Sequence, residues 1–546
     1  MLVAITFFDA HAQLSIELVK DINQGSGDAF DMFSFSYSQL YNGKLYFKAN
    51  DGINGDALWT TDGTEADTYM LKDINPDTGH AFIEGFTVYG GKLYFLADDG
   101  THGRELWLTD GTDAGTTLFK DINPGSGHSH PTWFRVYDDK LYFSANDGAH
   151  GWELWVTDGT DAGTYMVKDI RSGGSSSSSS PSRFTLYNNK LYFVAYDGIH
   201  GEELWVTDGT EAGTYMVKDI NPSNSSSDGP TNFAVYDGKL YFLANDGTHG
   251  YELWATDGTE TGTYMLKDVN PGEGGLLSAN FTSPPTLTVY NGKLYFGGLT
   301  GTPVYYLWET DGTEQGTQMV SGTNGLMFPY DLTEFNGLLY FGANDGIHGT
   351  QLWATDGTPS GSYMVKDIEN VASIYGSNPG NFTEYNDKLY FSANEGTNGY
   401  ELWVTDGTEA GTFKIAHDFD AHSADAMIPH YNLFRKVNNK LLFPAQYDGD
   451  LGWEVYVLTD ATMDMIEYDR LSFGVYPNPA SDLFTLSNVP TGSFLSLMDM
   501  TGREVYQHVV LNDQEVIETT GLTSGMYIIR IRNNETEATV KLIIKK

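Results

Sequence analysis

Three features of this 546-residue sequence predict an all-β fold: a β-propeller of eight or nine four-stranded blades, followed by a small C-terminal β-sandwich. One unit of 45 to 54 residues recurs eight times, each unit holds four strand-like segments, and no stretch shows sustained helical periodicity. Four antiparallel strands in a unit of this length form one propeller blade. Composition agrees, because 40% hydrophobic and 14% aromatic residues can bury a large core.

The first twelve residues predict a secretory signal peptide or the remnant of one. An apolar run that ends at Phe8 is followed by Ala10-His11-Ala12, the small-residue pattern of a cleavage site after Ala12. The positively charged start of a signal peptide is missing, so a buried N-terminal strand is the alternative. The predicted boundaries are a leader over residues 1–12 and a repeat array over residues 13–470.

The repeated unit carries the motif Glu-Leu-Trp-x-Thr-Asp-Gly-Thr, as at Glu105–Thr112. Its second strand reads Lys-Leu-Tyr-Phe-x-Ala, and Asn-Gly and Asp-Gly hairpin signals separate the strands. The second and third strands are apolar at successive positions, so neighbouring sheets must cover both of their faces. We expect the motif tryptophans to pack between blades rather than to stack on sugars. They are Trp59, Trp107, Trp155, Trp205, Trp254, Trp308, Trp353 and Trp403.

The two ends of the array predict how the ring closes. Residues 17–22 have the pattern of a fourth strand but follow no unit, whereas a decayed ninth unit at residues 454–462 lacks a fourth strand of its own. We therefore expect the N-terminal strand to complete the last blade and to close a ring of nine. The alternatives are a ring of eight and an open solenoid.

The C-terminal segment, residues 471–546, differs from the array in charge and pattern. Residues 473–546 contain 8 acidic and 6 basic residues, a net charge of −2, so residues 1–472 carry −41 of the total −43. Alternating apolar runs with Gly and Pro between them predict a sandwich of about seven strands.

Both parts of the chain resemble known families. The C-terminal segment closely resembles the type A sorting domain of the type IX secretion system at Pro477, Asn478, Pro479, Asp482, Gly502, Arg503, Gly525, Tyr527 and Lys541. This resemblance implies a source in the Bacteroidota, contact with the secretion machinery, and export across the outer membrane before anchoring or release. Residues 16–460 resemble the bacterial ELWxxDGT repeat family, which implies a propeller-like extracellular protein.

Charge and composition exclude several classes of function. A net charge of −43 repels phosphate backbones and anionic lipid surfaces, which argues against nucleic-acid and membrane-surface partners. With no cysteine, the chain has no disulfide, zinc–thiolate site or cysteine nucleophile. Beyond the leader, no apolar run reaches the length of a transmembrane helix, and no nucleophile, phosphate-loop or dinucleotide motif is present.

Residues repeated in every unit are expected to be architectural. The aspartate of Thr-Asp-Gly-Thr is predicted to cap a turn, with calcium binding as the alternative, and the histidine of Asp-Gly-x-His-Gly is likewise assigned to a turn. Departures from the repeat are the places for a specific site. The metal-ligand candidates are His417, Asp418, Asp420 and His422, with Asp448 and Asp450 as a weaker calcium candidate. The alternative is a polar loop, and calcium is the only cofactor that the sequence leaves open.

Three functions follow as hypotheses. The first is a secreted or cell-surface module that binds a glycan or a protein in adhesion, favoured by the uniform repeats and the lack of a catalytic signature. The second is an extracellular enzyme acting on polysaccharide or peptide, with its site in the irregular later units. The third is a structural surface protein stabilised by calcium.

Overall fold

The computed structural model has two compact units, Ile16–Thr459 in one and Asp460–Lys546 in the other. The structure describes residues 14–30, 34–76, 79–222, 229–271, 275–276, 286–299, 304–320, 325–358, 360–369, 376–396, 399–415, 427, 433–447, 451–460, 474–476, 480–481, 483–487, 489, 492–499, 503–510, 512, 514–519, 521–532 and 537–546. Within these residues the only helical segment is a 3₁₀ turn at Ser34–Tyr37, and no helix is long and apolar enough to span a membrane.

The larger unit consists of nine four-stranded sheets, here called blades 1 to 9. Blades 1 to 4 contain β2 (Gln39–Tyr41), β3 (Lys44–Asn50), β4 (Asp56–Thr61) and β5 (Tyr69–Lys72); β6 (Glu84–Tyr89), β7 (Lys92–Asp98), β8 (Arg104–Thr109) and β9 (Thr117–Lys120); β10 (Thr132–Tyr137), β11 (Lys140–Asn146), β12 (Trp152–Thr157) and β13 (Tyr165–Lys168); and β14 (Ser182–Tyr187), β15 (Lys190–Tyr196), β16 (Glu202–Thr207) and β17 (Tyr215–Lys218).

Blades 5 to 8 repeat the pattern with β18 (Thr231–Tyr236), β19 (Lys239–Asn245), β20 (Tyr251–Thr256) and β21 (Tyr264–Lys267); β22 (Thr288–Tyr290), β23 (Lys293–Leu299), β24 (Tyr305–Thr310) and β25 (Gln318–Met319); β26 (Met327–Phe335), β27 (Leu338–Asn344), β28 (Thr350–Thr355) and β29 (Tyr363–Lys366); and β30 (Gly380–Tyr385), β31 (Lys388–Asn394), β32 (Tyr400–Thr405) and β33 (Phe413–Lys414). Blade 9 combines β34 (Arg435–Val437), β35 (Lys440–Ala445) and β36 (Glu454–Asp460) with the N-terminal strand β1 (Leu14–Lys20).

The blades form a ring with their first strands on the inside. The first strands of successive blades contact one another, from β2 and β6 through to β26 and β30, so the fourth strands lie at the outer edge. In blade 9 the strand order is β1-β36-β35-β34, which makes β1 the outermost strand of the last blade. The predicted propeller, its ninth blade and its closure by the N-terminal strand are thereby confirmed.

One core joins the two ends of the array. Val19 of β1 is buried in the same hydrophobic cluster as Phe47 and Trp59 of blade 1 and Val457 of blade 9. Arg435 adds polar contacts across this junction, since its guanidinium donates hydrogen bonds to the carbonyl oxygens of Ser36 (2.6 Å) and Ser38 (3.3 Å). Burial lowers the pKa of Arg435 to about 10. Apolar packing and a buried cation therefore hold blade 9 against blade 1.

Repeated side chains explain why the ring is regular. Each first hairpin contains residues at positive φ, as at Asn42 (49°) and Gly43 (77°), which matches the predicted Asn-Gly type of turn. Seven first strands end in a tyrosine whose hydroxyl donates to a carbonyl in the next blade's hairpin, as from Tyr41 to Gly91 (2.7 Å). The donors are Tyr41, Tyr89, Tyr137, Tyr187, Tyr236, Tyr290 and Tyr385.

The motif tryptophans lie between sheets. Trp205 of blade 4 belongs to a buried cluster that also contains Tyr142 and Leu154 of blade 3, and Trp107 of blade 2 packs in the same way with Leu58 of blade 1. With 7% of Trp205 and 6% of Trp107 exposed, neither indole presents a face on which a sugar could stack.

The smaller unit is a two-sheet β-sandwich. A three-stranded sheet of order β37-β38-β41 accompanies a four-stranded sheet of order β40-β39-β42-β43, and apolar side chains such as Phe484, Leu497 and Ile529 form one core. Its seven strands are β37 (Gly474–Tyr476), β38 (Leu483–Ser487), β39 (Phe494–Asp499), β40 (Glu504–Val509), β41 (Gln514–Glu518), β42 (Gly525–Arg532) and β43 (Glu537–Ile544).

Candidate binding face of the ring

Two turns that recur in the described blades are held by their own side chains. In blade 3, Asp147 Oδ1 accepts the amide of His150 (2.8 Å), and Asp147 Oδ2 lies 2.7 Å from His150 Nδ1. In blade 1, Asn54 Nδ2 donates to Asp51 Oδ2 at 2.7 Å, which explains why asparagine can replace the histidine. In blade 3 the hydrogen bond that Asp147 accepts from the His150 ring raises the pKa of His150. The histidines of this turn are therefore part of the framework.

The Thr-Asp-Gly-Thr turn is likewise satisfied from within. Asp158 Oδ1 accepts the amide (2.9 Å) and the hydroxyl (2.7 Å) of Thr160. These hydrogen bonds lower the pKa of Asp158. The turn interpretation is confirmed by this geometry, which is that of an Asx turn. In the part of the chain that the structure describes, no three His, Asp or Glu side chains are grouped so that they could hold a metal ion.

The glutamate of the Glu-Leu-Trp motif holds the connection to the next blade. Glu153 is fully buried and accepts hydrogen bonds from the amides of Ile170 (2.8 Å) and Ser179 (3.1 Å) and from the Ser179 hydroxyl (2.6 Å). Burial raises the pKa of Glu153 to about 7. In blade 7 the equivalent Gln351 accepts from Ile368 and Ser377 with the same geometry. Glu153 and Gln351 therefore each fix both ends of the segment that leads into the next first strand.

The connecting segments carry residues that differ from blade to blade. We call these residues the variable belt. The first belt position is seven residues before the last residue of the first strand, and the second is four residues before that last residue. The third belt position is the residue directly before the Glu-Leu-Trp motif or its equivalent, at the start of the third strand. The belt residues of blades 2, 3, 4, 5, 7 and 8 are Phe82, Gly85 and Arg104; His130, Trp133 and Trp152; Ser180, Arg183 and Glu202; Gly229, Asn232 and Tyr251; Phe328, Asp331 and Thr350; and Asn378, Asn381 and Tyr400.

The second belt position lies at a β-bulge with a left-handed backbone. In β10 the register shifts between Thr132 and Arg135, and Trp133 within the shift has a φ of 58°. Arg183 in blade 4 also has a φ of 58°. Glycine adopts this conformation without strain, but of the six blades only blade 2 has a glycine at the second belt position, Gly85. Bulky residues in the left-handed region are uncommon and strained, and such strain clusters at binding sites.

Backbone hydrogen bonds join belt residues of neighbouring blades in two parts of the ring. The amide of His130 in blade 3 donates to the carbonyl of Arg104 in blade 2 (3.1 Å), and the amide of Ser180 in blade 4 donates to the carbonyl of Trp152 in blade 3 (3.1 Å). Farther round, the amide of Asn378 donates to the carbonyl of Thr350 (3.0 Å). One face of a uniform ring therefore presents side chains that are unlike one another, which is how a single ligand can be recognised.

Several residues predicted from the sequence lie outside the described residues: the metal candidates His417, Asp418, Asp420, His422, Asp448 and Asp450, and Pro477, Asn478, Pro479, Asp482 and Gly502 of the sorting motif. Of the other sorting residues, Arg503 Nε pairs with Asp499 (3.1 Å), and the hydroxyl of buried Tyr527 donates to the Thr523 carbonyl (3.0 Å). Gly525 begins β42, and Lys541 lies in β43.

The belt itself was missed by sequence reasoning, although a signal was present. The residue before the Glu-Leu-Trp motif or its equivalent takes six different types over the nine blades, more than the residue that follows it does. It is Asp56, Arg104, Trp152, Glu202, Tyr251, Tyr305, Thr350, Tyr400 and Trp453 in turn.

Comparison with known proteins defines the class of the chain through its C-terminal unit. Residues 474–545 match the family described as secretion system C-terminal sorting domain. The protein is therefore an exported one, displayed on the cell surface or secreted, and its C-terminal unit addresses it to the type IX secretion system. No curated protein sequence matches the chain significantly.

Solved structures resemble the chain only weakly. PorZ, an essential bacterial surface component of the type IX secretion system of Porphyromonas gingivalis, is 13% identical, with 93% of this chain and 75% of that one covered and a TM-score of 0.36. The β-propeller domain of the Trilobed protease from Pyrococcus furiosus is 10% identical over 63% and 99%, with a TM-score of 0.30. Sqt1 of Saccharomyces cerevisiae is 13% identical over 71% and 98%, with a TM-score of 0.36. The fold assignment rests on the sheet topology above.

Proposed function

We propose that this protein is an adhesive binding module of the bacterial surface, in which the ring holds an extracellular glycan or protein at its variable belt. The observation that carries the proposal is the contrast within one chain: framework residues repeat from blade to blade, whereas belt residues differ, and Trp133 and Arg183 among them accept strained backbone. Selection for stability alone would favour glycine at these bulges.

The rest of the proposal concerns the route to the surface. Residues 1–12 would serve as a signal peptide cleaved after Ala12, residues 13–470 would form the mature array, and residues 471–546 would bind the secretion machinery before removal. The likeness to ELWxxDGT repeats and to the type A sorting domain supports an extracellular role in a member of the Bacteroidota.

Deleting residues 471–546 should abolish surface display, because the ring would lose the unit that addresses it to the outer membrane. Immunoblots of periplasm, cell surface and medium measure this, with the full chain as the reference. We expect the truncated ring to accumulate in the periplasm as a folded protein. Its arrival at the surface in normal amount would contradict the assigned route.

Binding should depend on the belt and not on the framework. We expect the intact protein to bind specific targets on an array of glycans and surface proteins, and a variant with alanine at Trp133, Arg183 and Phe328 to lose most of that binding. His150→Asn is the matched control, since asparagine occupies this turn position in blade 1. Equal loss in both variants, or no target at all, would contradict the proposal.

A further inference from the structure

Blades 2 and 3 hold the residues that depart most from the repeat. In the described part of the array, every histidine outside the Asp-Gly-x-His-Gly turns lies here: His80, His128 and His130. Two of the three tryptophans outside the Leu-Trp position, Trp133 and Trp152, lie here as well. The segments that carry them are consecutive connectors of the ring.

An arginine is the centre of this group. The Arg104 guanidinium carbon lies 3.7 Å from the centre of the Phe82 ring, in a cation–π arrangement. His128 Nδ1 accepts the backbone amide of Arg104 (3.0 Å), and the rings of His128 and His130 are 5.5 Å apart. Among the described residues no carboxylate lies within ion-pair distance of this guanidinium. Its Nε atom is shielded from solvent without an acceptor.

Two carboxylates lie close to this group. Asp98 lies opposite Arg104 in the register of β7 and β8 and is 8% exposed, and Asp56 holds His80 Nδ1 at 3.0 Å. Burial lowers the pKa of His130, and the charges of Arg104 and His128 lower it further while Asp98 opposes them. Because the pKa of His130 is lowered, the fixed positive charge of the group is that of Arg104.

Aromatic surface accompanies the charge. Trp133 has 53% of its surface exposed and is held out by its left-handed backbone, and Phe82 has 37% exposed. The rings of His130 and Trp152 lie 6.2 Å apart. A flat apolar ring face packs against the CH face of a sugar, and a guanidinium fork fits the paired oxygens of a carboxylate or sulfate group.

From this arrangement we infer that blades 2 and 3 form a subsite for an acidic polysaccharide, with the anionic group at Arg104 and His128 and a sugar ring on Trp133. The inference rests on the proposed binding function and names its ligand class. The acidic field of the rest of the ring repels nonspecific polyanions, so only a ligand that fits the subsite is retained.

Isothermal titration calorimetry of the full chain tests the subsite, at about 0.15 M salt, where long-range charge effects are screened. The ligands are polygalacturonate, which carries carboxylates, dextran sulfate, which carries sulfates, neutral dextran, and poly-L-glutamate as an acidic polymer without sugars. We expect binding of one or both acidic polysaccharides and none of dextran or poly-L-glutamate. Arg104→Ala and Trp133→Ala should each weaken binding at least about tenfold, which is about 1.4 kcal/mol.

Matched controls come from exposed positions outside the belt. Ile199→Ala and Tyr215→Ala should leave the dissociation constant within about twofold, and Arg104→Lys should retain part of the affinity because it keeps the charge but not the fork. An unchanged melting temperature shows that each variant is folded.

Three results would overturn the subsite: no binding of either acidic polysaccharide, equal weakening by the control substitutions, or equal binding of poly-L-glutamate. A neutral glycan or protein target that is lost in Phe328→Ala would overturn the subsite while supporting the proposed binding function. If the array shows no target and the calorimetry shows no binding, both the subsite and the proposed binding function are contradicted.

Discussion

Removing residues 14–20 should open the ring and destabilise it strongly. The deletion takes away β1 and with it Ile16 (6% exposed) and Val19 (4% exposed), whose burial contributes about 1.5–3 kcal/mol each. It also leaves the edge of β36 without its hydrogen-bonded neighbour. We therefore expect a loss of roughly 5 kcal/mol in the free energy of unfolding, measured by urea denaturation, and early proteolysis of blade 9.

Two further variants separate closure from a general effect of truncation. Val19→Asp places an unpaired charge in the core shared by blades 9 and 1 and should approach the effect of the deletion, whereas Glu17→Ala at an exposed position of the same strand should change stability by less than about 0.5 kcal/mol. A synthetic peptide of residues 14–20 should restore stability to the truncated ring by adding a strand. An unfolding midpoint unchanged by the deletion would refute closure by β1.

Raising the pH from 5.5 to 8.5 should lower the melting temperature of the ring. Burial raises the pKa of Glu105, Glu153 and Glu203 from 4.5 to about 7. It raises those of Glu252 and Glu454 to about 8. A raised carboxyl pKa means that the folded state binds more protons than the unfolded state above pH 4.5, so stability falls as pH rises through the folded values. Each pKa unit corresponds to about 1.4 kcal/mol.

The turn histidines also make stability fall as the pH rises, so their contribution must be measured separately from that of the glutamates. The pKa of His150 is raised by Asp147, so its contribution is present below its unfolded pKa of 6.5 and is lost as pH rises through the folded value. Replacing Glu105, Glu153, Glu203 and Glu252 with glutamine should remove most of the pH dependence, because Gln351 already performs this role in blade 7. His150→Asn should remove only a small part. A melting temperature that is level across this pH range would contradict the assignment.

The fold could be predicted from the sequence because the same local signals occur in every unit. Each signal predicts one element of the ring: the Asn-Gly pairs predict hairpins, and the doubly apolar segments predict strands such as β11. The unmatched strand predicted at residues 17–22 corresponds to β1, Leu14–Lys20, in blade 9. Repetition also allowed the turn roles of Asp158 and His150 to be assigned, since a residue present in most blades serves the blade.

The belt could not be predicted in the same way, because what distinguishes it is the left-handed backbone conformation of its residues at the β-bulges. A tryptophan at residue 133 or an arginine at residue 183 is unremarkable in a list of residues, and only the bulge shows that each occupies a left-handed conformation. The stacking of Arg104 on Phe82 joins residues 22 positions apart, on a strand and on a connector. The metal candidates from His417 to Asp450 lie outside the described residues and stay a prediction.

Together these features describe an exported ring that needs no disulfide. Its stability comes from interblade cores, buried glutamates and a terminal strand that closes the last blade, whereas its specificity is assigned to residues that the framework leaves free to vary. Because the connectors are fixed at both ends by residues such as Glu153 and Ser179, exchange of belt residues can alter the ligand without altering the ring.

Closure of the ring by the N-terminal strand is the central claim about the fold, and pulsed electron spin resonance measures it directly. The chain has no cysteine, so two introduced thiols are the only sites for spin labels. Labels at Leu40 and Lys436 occupy equivalent exposed positions on the first strands of blades 1 and 9, and labels at Leu40 and Val88 do so on blades 1 and 2. We predict the same short, narrow distance distribution for both pairs. A much longer or broader distance for the first pair would show an open array.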